Sequence, residues 1–166
     1  LEPFGSESEL LSQAEAGDYL SIMAYDHQTP ETDMALYVLR KYVMENFKLA
    51  TTLGYGPTFL HSTGQLHKGG PNSGVFLYIT ADDPKDFQIP GRKYTLGLLK
   101  RFQAKVDASV VAEKGRRVLR VHVGPDVIAG PYWSEGPSFQ AKHEIYPPKP
   151  QNRDRYADNF FWFVYD

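Results

Sequence analysis

A glycine-rich segment in the first half of the chain carries the side chains best suited to chemistry. Residues 54–74 combine two imidazoles, an ammonium group and several hydroxyls with six glycines, which let backbone N–H groups approach a ligand. Imidazole transfers protons near neutral pH, as the opening of a sugar ring or the movement of a hydrogen on a sugar requires. The set is typical of a site for a polyhydroxylated small molecule, with or without a phosphate group. The candidate site residues are His61, Ser62, Thr63, Gln65, His67 and Lys68.

Each of these residues also has a plain structural interpretation. A glycine-rich segment with a histidine can be a connector, and Lys68 can be a solvated lysine rather than a phosphate clamp. His61 and His67 lie six positions apart with no nearby Asp, Glu or third His, which is weak spacing for metal ligands, so no metal and no cofactor is predicted. Four further cations could bind an anion or simply face solvent at the ends of elements: Lys100, Arg101, Arg116 and Arg117.

The elements that must position this segment follow from hydrophobic periodicity. Apolar, β-prone runs predict strands at residues 18–25, 49–53, 75–80 and 118–123. Thr29 and Pro30 form a helix start, and apolar residues at helical spacing continue to Phe47. Residues 98–110 repeat the helical period, and a capping box at residues 6–9 predicts a short first helix. Six glycines and two prolines predict that residues 54–74 form one long loop.

Strands that alternate with amphipathic helices predict an α/β fold, a three-layer sandwich with a mainly parallel, Rossmann-like sheet over residues 1–123. Ligands of such sheets bind in loops at the carboxyl ends of strands, and residues 54–74 form such a loop. Residues 124–166 are rich in proline and aromatic residues and are predicted to be an irregular tail. The tail ends in a β-prone apolar run, residues 159–165, which we expect to pack on the domain or on a partner.

Composition excludes several classes of function. The 166 residues include 18 basic and 20 acidic side chains, and a net charge of -2 disfavours a general nucleic-acid or anionic-membrane partner. The chain has no cysteine, which excludes disulfides, thiolate catalysis and cysteine zinc sites. The sequence shows no membrane-insertion segment and no signal peptide, so we expect a cytoplasmic protein.

The run Leu-His-Ser-Thr-Gly-Gln at residues 60–65 resembles a segment of glucose-6-phosphate isomerases. Residues 50–80, 98–101 and 115–122 resemble the C-terminal end of bacterial bifunctional transaldolase/glucose-6-phosphate isomerase proteins, and the similarity runs from about residue 17 to residue 123. The resemblance implies a sugar-isomerase (SIS-like) domain that binds glucose 6-phosphate or fructose 6-phosphate in glycolysis. It implies that His61 opens the pyranose ring and that Gln65 lies beside the sugar. The remaining candidates, Ser62, Thr63, His67 and Lys68, are expected to bind the substrate.

The chain also departs from this family. It lacks the Ser-x-Ser-Gly-Thr-Thr phosphate loop, the glutamate base that moves the C1/C2 proton, and the Asn-Pro-Phe-Asp-Gln segment with its downstream lysine. We therefore expect isomerase activity only as part of a larger chain or assembly, with other isomerase segments or protein subunits completing the site. Two alternatives stay open: a non-catalytic structural subunit of a larger complex, and a sugar-phosphate binding module.

Overall fold

A computed structural model describes residues 7–124 and 142–145. Its elements, in chain order, are α1 (Glu7–Ser12), β1 (Tyr19–Tyr25), α2 (Pro30–Phe47), β2 (Ala50–Tyr55), α3 (Thr63–Gly69), β3 (Gly74–Thr80), α4 (Leu96–Glu113), β4 (Arg117–His122) and β5 (Lys142–Ile145).

The strands form one sheet in the order β2-β1-β3-β4-β5. Strands β1 to β4 are parallel, and β5 pairs antiparallel with β4. Tyr19 pairs with Ala50 on one side and with Gly74 on the other, so the three strands start at the same level and end at a common carboxyl edge. The chain leaves β1 toward β2 on one side and returns to β3 on the other, which places the topological switch point between β1 and β3.

The two long helices begin at side-chain caps. The Thr29 hydroxyl accepts a hydrogen bond from the amide of Thr32, and Pro30 occupies the first turn of α2, where its missing N–H costs nothing. The Thr95 hydroxyl accepts a hydrogen bond from the amide of Leu98 at the start of α4. Both caps satisfy amides that the helix itself leaves without a partner.

A layer of helices covers each face of the sheet. Helices α1 and α2 bury one face, where Leu36, Leu39 and Val43 pack on Ile22 and Leu77. On the other face α4 packs on alternate strand residues; the buried set there is Met23, Tyr25, Phe59, Phe76, Tyr78, Ala104, Ala108, Val111, Ala112 and Val118. Successive side chains of a strand point to opposite faces, which accounts for this partition. Within the described ranges, no helix has both the length and the apolar character needed to span a membrane.

The predicted α/β class, with three layers and a mainly parallel sheet, is confirmed. The prediction of one long loop over residues 54–74 is wrong, because β2 continues to Tyr55 and α3 forms within the glycine-rich segment. The expected irregular tail contains β5, which extends the sheet beyond β4. The prediction that residues 159–165 pack on the domain or a partner lies outside the described residues.

Candidate functional site

A compact turn, residues 56–62, joins β2 to α3 at the carboxyl edge of the sheet. The Gly56 amide donates to the carbonyl of Ala24 at 2.9 Å, which attaches the start of the turn to the end of β1. Phe59 is 5% exposed, and its ring meets the Tyr25 ring edge-on with centroids 5.6 Å apart. Phe59 is therefore the apolar anchor of the turn.

Two glycines allow the turn to lie close to its neighbours. A Cβ at Gly56 would lie 2.5 Å from the Tyr25 ring, and a Cβ at Gly64 would lie 2.8 Å from the carbonyl oxygen of Phe59. That oxygen accepts hydrogen bonds from the amides of Ser62 (3.0 Å) and Gly64 (2.9 Å). The glycines thus serve a close backbone approach and a hydrogen-bonded turn, rather than chain flexibility.

His61 lies at the outer side of this turn with its side chain exposed. Within the described part of the chain, its imidazole forms no hydrogen bond and no ion pair, so both ring nitrogens can meet a ligand. The neighbouring Ser62 and Thr63 are also exposed, and the Ser62 hydroxyl donates back to the carbonyl of Phe59 at 3.2 Å. The structure therefore groups one free imidazole with two hydroxyl groups.

Gln65 lies in the first turn of α3 with an exposed side chain. Its side-chain amide donates to the carbonyl oxygen of Leu60 at 2.9 Å. This bond runs back from the helix to the turn, so the Gln65 amide is engaged within the fold next to His61.

His67 is at the other end of α3 and is 6% exposed. Its Nε2 lies 3.3 Å from the Ser21 hydroxyl, and its ring lies 5.1 Å from the Phe76 ring. Burial lowers the pKa of the His67 imidazole; Asp107 opposes this effect and Lys68 adds to it. A neutral imidazole packed on the sheet is the form that this environment favours. His67 lies apart from the exposed group around His61.

Lys68 extends from α3 toward α4 and forms an ion pair with Asp107, with 2.6 Å between Nζ and Oδ1. The second oxygen of Asp107 accepts a hydrogen bond from the Tyr78 hydroxyl at 2.7 Å. Asp107 is 3% exposed. The Lys68 ammonium group thus neutralises a buried carboxylate and links α3 and α4 to β3. This structural role explains a lysine at position 68 without a phosphate ligand.

The four other cations discussed from sequence are engaged within the fold. Arg116 is buried and donates to the carbonyls of His67, Lys68 and Gly70, so it caps the end of α3. Lys100 pairs with Asp83, Arg101 with Asp82 and Arg117 with Asp18. None of these pairings was predicted, since the partners are far apart in sequence.

Sequence reasoning also missed Asp26, which directly follows β1 at the switch point. Burial raises the pKa of its carboxyl, the His27 amide and Lys100 lower it, and Asp83 raises it further. An aspartate that follows a buried strand at the carboxyl edge was the available signal. Among the described residues, no three His, Asp or Glu side chains are grouped so that they could hold a metal ion.

Comparisons with known proteins add information on the fold alone. No family model matches the chain. No curated protein matches it either. The fold is similar to the crystal structure of a hypothetical protein from Thermus thermophilus, with a TM-score of 0.51 and 18% sequence identity. The match covers 63% of this chain and 30% of that one, so the chain spans less than a third of the protein it resembles.

Proposed function

We propose that the chain is the C-terminal sugar-isomerase module of a cytoplasmic glucose-6-phosphate isomerase, and that it supplies the ring-opening imidazole of His61. Other segments or subunits complete the active site. The observation that carries the proposal is the state of His61: its imidazole is exposed on the turn at the carboxyl edge of the sheet and has no partner among the described residues. The substrates are glucose 6-phosphate and fructose 6-phosphate, and no metal, cofactor, nucleic acid or membrane insertion enters the proposal.

The chemistry assigned to His61 is a paired proton transfer. In the cyclic sugar the C1–O5 bond breaks while C1 and O1 form a carbonyl group, so O5 gains a proton and the O1 hydroxyl loses one. One imidazole can donate the first proton and accept the second, because its ordinary pKa is close to neutral pH. The Thr63 hydroxyl next to it can hydrogen-bond a sugar hydroxyl and orient the ring.

Five of the six candidates from sequence divide into two groups under this proposal. His61, Ser62 and Thr63 stay as the residues that meet the sugar, since all three are exposed, the first two at the end of the turn and Thr63 at the first position of α3. His67 and Lys68 leave the proposed site, because one is buried against Ser21 and the other is paired with Asp107. The chain has neither the phosphate loop nor the glutamate base of the family, so alone it opens the ring without moving the C1/C2 hydrogen.

Ring opening can be measured separately from isomerisation. An opened ring can close to either anomer, so a chain that opens the ring speeds the exchange between α- and β-glucose 6-phosphate, which exchange NMR reports. We expect the purified chain at pH 7 to raise the exchange rate at least about tenfold over an equal concentration of free imidazole, since positioned acid–base catalysis contributes about 10²–10⁴-fold in complete sites. Fructose 6-phosphate does not form.

Two histidine variants test whether the effect belongs to the site. His61→Asn removes the proposed imidazole, whereas His27→Asn removes an exposed imidazole from a different loop at the same sheet edge. We expect exchange to fall to the level of free imidazole in His61→Asn and to stay unchanged in His27→Asn. Equal losses in the two variants, or no loss in His61→Asn, contradict the proposal.

Exposed apolar side chains on α2 favour a second candidate function, a structural subunit that docks within a larger complex. Met34, Tyr37 and Val38 are 62%, 58% and 47% exposed, on the side of the helix away from the sheet. Apolar clusters of this kind mark protein interfaces. If docking is the function, another subunit covers this face, and Tyr37→Lys blocks assembly in sedimentation experiments while leaving anomer exchange unchanged. A monomer in solution whose behaviour Tyr37→Lys leaves unaltered contradicts this candidate.

A further inference from the structure

The hydrogen bond between Gln65 and Leu60 bears directly on the position of His61. The Gln65 side-chain amide donates to the Leu60 carbonyl oxygen at 2.9 Å. That oxygen belongs to the peptide group that joins Leu60 to His61. The bond therefore fixes the peptide plane immediately before the imidazole-bearing residue.

The peptide plane after His61 is fixed as well. It contains the Ser62 amide, which donates to the carbonyl of Phe59 at 3.0 Å. Phe59 is itself anchored in the core against Tyr25. The Cα of His61 thus lies between two held peptide groups, although its side chain is exposed and without a partner in the described part of the chain.

The two supports differ in origin. The support after His61 comes from backbone atoms and a buried anchor, so the fold as a whole maintains it. The support before His61 depends on one exposed side chain that reaches back from the first turn of α3. A substitution at Gln65 can therefore release His61 without removing any side chain from the core.

We infer that Gln65 is a positioning residue that holds the imidazole of His61 for ring opening, rather than a residue that binds the sugar. This inference rests on the proposed function of His61. A displacement of about 1 Å in a catalytic group can cost on the order of 10²-fold in rate. Because the support after His61 remains, we expect loss of the Gln65 bond to lower the saturated anomer-exchange rate about tenfold. The half-saturating sugar concentration stays within about twofold.

Gln65→Met tests the inference, since methionine keeps the length and helix propensity of glutamine but cannot donate the hydrogen bond. We expect the backbone ¹⁵N order parameter of His61 to fall from about 0.85 to below about 0.6. Gln103→Met, a glutamine-to-methionine change on α4, is the matched control and leaves both the order parameter and the exchange kinetics unchanged.

Gln65→Glu tests whether the hydrogen bond itself, rather than the shape of the side chain, holds His61. A glutamate carboxylate cannot donate to the Leu60 carbonyl, whereas a protonated carboxyl group can. The order parameter of His61 should therefore be low at pH 7 and recover as the pH falls through the ordinary glutamate range near 4.3.

Two results overturn the inference. One is an unchanged His61 order parameter in Gln65→Met. The other is a severalfold rise in the half-saturating concentration at an unchanged saturated rate, which identifies Gln65 as a sugar-binding residue. If the unmodified chain does not catalyse anomer exchange at all, the proposed function fails, and the order parameters still decide whether Gln65 holds His61.

Discussion

The ion pair between Lys68 and Asp107 provides a quantitative test of how α3 is held against α4. Lys68→Met keeps most of the apolar stem and removes the ammonium group, leaving a carboxylate that is 3% exposed. Breaking a buried ion pair from one side costs about 3–5 kcal/mol, because the remaining charge is neither solvated nor neutralised. Tyr78 still donates to Asp107 at 2.7 Å, so we expect the lower end, about 3 kcal/mol of unfolding free energy.

A substitution of the other partner, Asp107, lowers the unfolding free energy less. Asp107→Asn keeps an acceptor for the Tyr78 hydroxyl, and Lys68, whose side chain is 16% exposed, can turn its ammonium group toward water. We expect a loss of about 1 kcal/mol of unfolding free energy, which is at the low end of the cost of removing one partner of a buried hydrogen bond. The double variant should lose about 2 kcal/mol, because a neutral amide needs no cation beside it. The pair is thus coupled by about 2 kcal/mol.

Urea denaturation at pH 7, followed by far-ultraviolet circular dichroism, gives the free energies for this cycle. Lys105→Met is the matched control, since Lys105 is an exposed lysine on α4, and its loss should change stability by less than about 0.5 kcal/mol. A coupling energy below about 0.5 kcal/mol would refute the argument that Lys68 serves the fold. So would a Lys68→Met variant as stable as the Lys105→Met control.

Two further predictions concern the turn and the sheet beneath α3. Gly56→Ala should destabilise the chain by about 2 kcal/mol in the same urea assay, because its Cβ would lie 2.5 Å from the buried Tyr25 ring. Gly69→Ala is the control and should not destabilise the chain, because a Cβ there meets nothing within 4 Å. Equal stabilities of the two variants contradict the packing argument. Burial lowers the pKa of His67 in the folded chain, so the unfolded chain binds a proton at this imidazole more readily than the folded chain does. The stability that the neutral His67 contributes is therefore present above the unfolded pKa near 6.5 and is lost as the pH falls through the folded value. His67→Gln should therefore lose less stability than the unmodified chain between pH 7 and pH 5, and an identical pH dependence contradicts this assignment.

Much of the fold follows from local sequence signals. Thr29 and Pro30 predict the start of α2, and the structure confirms both the cap and the first-turn proline. The β-prone run at residues 75–80 predicts a strand, and the structure has β3 at Gly74–Thr80, buried along its whole length. These signals succeed because caps and periodicity depend on neighbours within one or two turns.

Helix α3 could not be predicted in the same way. Its seven residues include two glycines, and intrinsic propensity disfavours a helix there. The helix is instead held by contacts from distant parts of the chain: Arg116 caps its last carbonyls, and Asp107 pairs with Lys68. Such partners lie about 40 or more positions away, so no local pattern reports them.

For the candidate site, the sequence indicates where the segment lies in the fold but not what each of its side chains contacts. The sequence predicts that His61 lies in a loop that follows a strand, which places it at the carboxyl edge of the sheet, where ligands bind. Residues of this segment differ in their contacts, and only the folded structure defines those contacts. His67 lies against Ser21 and Phe76, whereas His61 is exposed. Spacing alone could not distinguish a packed imidazole from a free one.

The exchange of glucose 6-phosphate anomers at pH 7, compared between the unmodified chain and His61→Asn, tests the central claim most directly. We expect the unmodified chain to exceed an equal concentration of free imidazole by at least about tenfold and the variant to match it. Equal exchange rates for the two proteins would show that the exposed imidazole on the turn after β2 does not open the sugar ring.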